Sequence, residues 1–246
     1  MNTLDKKGYD TAVDAWKKCL ADYPRMKTLI PPNYVFTLSP EQIKWAKTVT
    51  DGKVKNFRVD MGILDQKQVI IILVRIDEKG QNIVVDGFPY SLLGEMEKDL
   101  PLYEKQSYTL VKTALLSKDL RSVDDNSNTT FPIADHPIMK QDKAIEAIEQ
   151  WRNEGQNWLY MECSAPYNGT RIFSSFYVPI LDLTLPEGLN WITCTFALRY
   201  SSIYQRMLVS LVFISFYKNL GNDVSSPAYI SNTYDWSQPC PPICQI

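Results

Sequence analysis

Phe57-Arg58-Val59-Asp60-Met61-Gly62-Ile63 alternates apolar and polar residues; after a polar turn around Asp65 to Gln68 the chain continues as Val69-Ile70-Ile71-Ile72-Leu73-Val74. Successive strand side chains point to opposite faces, so the first run reads as a half-buried strand. The second run is continuously apolar and mostly β-branched, as in a strand covered on both faces. A short turn between two such runs makes an antiparallel pair at the centre of a sheet. The same order recurs later. Ile192, Cys194, Phe196, Leu198 and Tyr200 alternate with Thr193, Thr195, Ala197 and Arg199, and Met207 to Tyr217 is almost continuously apolar.

Helical spacing surrounds these pairs. Tyr9, Ala12, Val13, Trp16, Cys19, Leu20 and Tyr23 recur at three- and four-residue intervals, which predicts an amphipathic helix stopped by Pro24. Ser39-Pro40-Glu41-Gln42 carries a capping serine, a proline at the first helical position and a glutamine three residues after the cap. The helix it opens carries Ile43, Trp45 and Ala46 and ends before Gly52. Glu78-Lys79-Gly80 reads as a turn into a third strand at Ile83 to Val85. Leu102 to Leu116 returns to helical spacing. A further helix starts near Pro137, turns Ala144, Ile145, Ile148 and Trp151 inward, and ends at Gly155. Trp158 to Ala165 and Arg171 to Ile180 read as strands across Asn168-Gly169, a dipeptide suited to the positive φ of a tight hairpin turn.

These elements define an α+β fold with a mixed or mainly antiparallel sheet and helices packed on one face. Residues 1–116 form an N-terminal α+β half, 117–136 a polar linker or loop, 137–217 a helical and β-rich half, and 218–246 a coil tail. A single domain over 1–246 accommodates the same elements equally. The repeated strand order raises the possibility of two similar halves.

Composition narrows the function classes. Of 246 residues, 45% are hydrophobic and 22% charged, enough apolar material for a sizeable core. The net charge of −2 lacks the basic excess of a nucleic-acid binder. No stretch reaches the roughly 18 apolar residues of a membrane span, and the first thirty residues lack the apolar segment of a signal peptide. The expected location is the cytoplasm.

The candidate site residues are few. His136, the one histidine, follows Asp135 at the expected start of a helix. The pair reads either as a general base with its orienting carboxylate or as a surface turn with Asp135 as the cap. Cys163 is a third catalytic candidate, within reach of chemistry only if a polar pocket opens beside it. Five cysteines do not make a disulfide framework, and three of them sit in apolar patterns as buried thiols. Cys240-Pro241-Pro242-Ile243-Cys244 reads as a disulfide-closed loop or as a stiff tail anchored by Tyr234 and Trp236. A structural zinc site needs four ligands, so no metal is expected there. Glycine-rich phosphate loops and nucleophile elbows are missing, and no cofactor is expected.

Tyr234-Asp235-Trp236, followed by Pro239-Cys240-Pro241-Pro242 and Cys244, resembles the C-terminal signature of small uncharacterised Bacteroidetes proteins. In those, a helical stretch and a strand pair similar to Phe57 to Asp77 precede the same kind of tail. The resemblance covers about a third of the chain. It implies a bacterial origin and carries no catalytic residue with it. From the residues, the expected function is a non-enzymatic, adaptor- or immunity-like protein interaction, with Tyr234 and Trp236 as binding candidates. The alternative is an enzyme or small-ligand binder whose site is assembled from dispersed residues.

Overall fold

The computed structural model describes residues 1–47, 56–96, 141–179, 189–218, 229–234, 237–242 and 244. Among them are ten strands and four helices: β1 (Thr3–Leu4), α1 (Lys6–Cys19), α2 (Tyr23–Leu29), β2 (Tyr34–Leu38), α3 (Pro40–Lys47), β3 (Asn56–Leu64), β4 (Gln68–Val74), β5 (Phe88–Glu95), α4 (Gln141–Cys163), β6 (Ser175–Pro179), β7 (Leu189–Ser201), β8 (Arg206–Lys218), β9 (Tyr229–Tyr234) and β10 (Gln238–Cys240). The fold is α+β, and every strand pairing is antiparallel. The linker at 117–136 and the helical spacing at 102–116 lie outside the described residues.

The strands hydrogen-bond in the order β10-β6-β3-β4-β5-β2-β7-β8-β9, with β1 on β5. The two ends of this path, β9 and β10, are separated in sequence only by residues 235–237. Four Cα steps span at most about 15 Å, so the sheet curls until its ends approach, giving a nearly closed barrel. Strands from the two ends of the chain interleave: β6 pairs β3, and β2 pairs β7.

The two sequence-defined pairs form as expected. β3 and β4 pair from Arg58↔Val74 to Leu64↔Gln68, around a turn in which Asp65 and Gln66 take φ of 48° and 62°. β7 and β8 pair over twelve positions, down to Ser201↔Arg206. Ile71, Leu73, Leu211 and Phe213 are all buried. β3 is not half-buried, however: Asp60 and Gly62 are covered as well. α1 lies on that face, and a Cβ at Gly62 would stand 3.1 Å from the Ala12 methyl.

One face of the curved sheet builds a single core from Phe36, Phe57, Val59, Met61, Phe176, Phe196 and Phe213. Opposite faces carry smaller clusters. Tyr9 and Ala12 of α1 cover Ile70, Ile72 and Phe88, while Ala144 and Ile148 of α4 cover Ala197, Val212 and Ile214. The C-terminal halves of the same helices add Trp16, Cys19, Trp151 and Leu159 to the main core. The core face is thus filled by aromatic side chains.

Several expectations are corrected. Pro24 does not simply stop a helix; it occupies the first turn of α2, where its missing N–H costs nothing. The capping box at Ser39 forms, with Ser39 N–H donating to Gln42 Oε1 at 2.8 Å. Ile83 to Val85 is not a strand; the third strand of the meander is β5. Gly155 does not end its helix: α4 runs through it to Cys163 and takes in Trp158–Cys163, the stretch expected as a strand before the Asn168-Gly169 turn. Asn168 and Gly169 do take positive φ, but they connect α4 to β6 instead of joining two strands. The coil read from Lys218 onward contains β9 and β10.

Candidate functional site

Asp135, His136 and Trp236 lie outside the described residues. Cys163 ends α4 and is 4% exposed. Burial, reinforced by Cys19, Asp22 and Glu162, pushes its thiol up to about 11. It is therefore protonated at neutral pH and a poor nucleophile. Its neighbour Glu162 is also buried, and burial raises its carboxyl pKa against the opposing charge of Arg171, 3.2 Å away. Tyr234 ends β9, opposite Phe213. Cys163 lines neither of the two described pockets.

Instead, the structure assembles a polar cluster that starts from Arg58 and Asp60. They are two apart on β3 and so share a face. The Arg58 guanidinium grips Asp60 through Nε at 2.6 Å and Nη2 at 2.9 Å. Tyr9 OH donates to Asp60 Oδ2 at 2.5 Å, and Arg58 Nη2 also donates to Asn82 Oδ1 at 2.7 Å. The two side chains are only 16% and 6% exposed. Burial alone would lower the Arg58 pKa; the hydrogen bonds and charge of Asp60 outweigh it and hold Arg58 above its ordinary value. Burial and the same carboxylate push the Tyr9 phenol up to about 12.

Arg58 and Asn82 of this cluster line a cavity of about 770 Å3, together with Lys79, Gln81, Tyr177 and Cys244. One wall is the loop closed by the Cys240–Cys244 disulfide. β10 holds the loop against β6, Ser174 N–H donates to the Cys240 carbonyl at 2.7 Å, and Tyr177 OH donates to the Cys244 carbonyl at 3.4 Å. Among the described residues, no three His, Cys, Asp or Glu side chains are grouped to hold a metal ion.

A second feature lies at the β7–β8 turn. Ile203 is 84% exposed, and Tyr200 and Tyr204 beside it are also exposed. The C-terminal end of α4 presents exposed Tyr160 and Met161. Trp158 ties the two elements together: its Nε1–H donates at 3.2 Å to the carbonyl of Met207, the strand partner of Tyr200.

Sequence reasoning missed both features. Arg58 and Asp60 read as the solvent face of an alternating strand. Their spacing did place them side by side, but only the tertiary fold brings Tyr9 and Asn82 to them. Comparison of the chain with family models, curated proteins and solved structures returns no match.

Proposed function

We propose that the protein is a non-enzymatic interaction module that binds another protein through the apolar end formed by the β7–β8 turn and the end of α4. The observation that carries this reading is the exposure of Ile203 and Tyr204 at a turn, where polar residues are the rule, with Tyr200 exposed on the strand that leads into it. The end of α4 also exposes Met161 and Tyr160, the latter edge-on to Tyr23. Aromatic residues and methionine are the types enriched at the centres of protein interfaces.

The alternative, a small-ligand site, is supported by the Arg58 cavity and is taken up below. The resemblance of the C-terminal tail supports a bacterial source. A disulfide persists in oxidising compartments, so Cys240–Cys244 favours a cell-envelope setting over the cytoplasm expected from composition.

The test is photo-crosslinking in the native cell, with the photoreactive residue at position 203 or, as a control, at Lys7 on α1. One discrete protein adduct from position 203 and none from position 7 is the expected outcome. Equal adduct patterns at both positions would refute the assignment.

A further inference from the structure

The Arg58 cavity is rich in hydrogen-bond donors and poor in negative charge. Among the described residues that line it, none carries a carboxylate. Asp60 engages Nε and Nη2 of Arg58, so Nη1 is the guanidinium nitrogen without a hydrogen bond among the described residues. Asn82 accepts from Arg58 through Oδ1, and its Nδ2, turned partly toward the Tyr9 phenol, retains a second N–H as a donor. Lys79 and Gln81 sit on the exposed turn after β4 and add two donor side chains. The Arg58–Asp60 pair is neutral as a unit, so Lys79 gives the cavity its net positive charge.

Preorganisation distinguishes this arrangement from a loose basic surface. Arg58 is partly buried and held by three side chains, so little side-chain entropy remains to be lost on binding. The remaining nitrogen, Nη1, presents charge-assisted N–H donors in a fixed position to an oxygen of a carboxylate or phosphate. From this geometry we infer that the cavity is a binding site for a small oxyanion, a molecule bearing a carboxylate or phosphate group. Arg58 Nη1 and Asn82 Nδ2 hold the oxyanion, and Lys79 neutralises it from the rim. The site is independent of the apolar end proposed to bind protein.

Titration calorimetry of the full, disulfide-intact chain at constant ionic strength tests the assignment, with inorganic phosphate and succinate as probes and chloride as the background anion. Saturable binding of one ion per chain is expected for at least one probe, and the preferred probe tells phosphate from carboxylate. Lys79→Gln and Asn82→Leu change exposed residues and leave the fold intact, as an unchanged melting temperature verifies. Each is expected to weaken binding at least fivefold. The inference is overturned if neither probe saturates, or if both variants bind as tightly as the parent chain.

Discussion

Ser237 Oγ accepts the backbone N–H of Leu211 at 2.5 Å, and both residues are buried. β9 pairs with β8 only from Lys218 back to Phe213, so Leu211 lies beyond the end of that ladder. The serine hydroxyl supplies the partner that the missing strand would have given, just before β10 crosses to β6. Ser237→Ala would leave a buried N–H unsatisfied, at a cost of about 1–3 kcal/mol. A urea melt should show the lower midpoint with an unchanged slope. An unchanged midpoint would mean that water reaches this N–H.

Tyr9 ties α1 to β3 through a bond to an ionised carboxylate. Tyr9→Phe should therefore cost about 1.5–3 kcal/mol at neutral pH. The pH dependence has a definite sign. The folded phenol holds its proton up to about 12, against an ordinary value of 10. Its contribution is complete below pH 10 and is lost as pH rises from 10 to 12. The stability gap between the parent and Tyr9→Phe should thus close over that window. Cys19 and Cys163, both pushed up to about 11 chiefly by burial, add an alkaline loss from pH 9 to 11 that the two proteins share. Parallel curves through pH 12 would rule out the Tyr9–Asp60 bond.

Gly155 separates propensity from packing. Alanine is the better helix former by about 1 kcal/mol, so Gly155→Ala would stabilise an exposed helix. Here the new Cβ would stand 2.8 Å from the Trp151 indole. Trp151 is fully buried against Phe196 and cannot swing away. Overpacking of this kind costs about 1–3 kcal/mol, so the substitution should lower the melting temperature. A rise would show that the ring has room to move.

Period-two and period-3.6 patterns made β3, β4, β7, β8, α1 and α3 legible in the sequence, because each buries one regular stripe or lies wholly inside. The failures share a physical cause. At Gly155 a helix breaker is retained because an indole needs the space, and local propensity does not record that. At Pro24 a proline starts a helix instead of stopping one. β9 and β10 are short and rich in polar residues, and they become strands only because β8 and β6 offer unpaired edges. The cluster around Arg58 joins residues 9, 58, 60 and 82 through tertiary contacts, and no motif announces it.

The Cys240–Cys244 disulfide closes a loop of five residues, counting both cysteines. Closing a loop that short removes about 2 kcal/mol of chain entropy from the unfolded state. Reduction, or Cys240→Ser with Cys244→Ser, should lower stability by about that amount. Free thiols counted before and after reduction should rise by two. A count that does not change on reduction would show that the bond does not form.

We propose that the end bearing Tyr200, Ile203 and Tyr204 is exposed for recognition and not for folding. Ile203→Asp with Tyr204→Asp, introduced into the chain crosslinked through position 160, tests it most directly. Exposed substitutions away from packing cost about 0.5 kcal/mol or less each. The expected result is a melt within about 1 kcal/mol of the parent together with loss of the protein adduct. A destabilisation of several kcal/mol, or an adduct of undiminished yield in a stable variant, would contradict it.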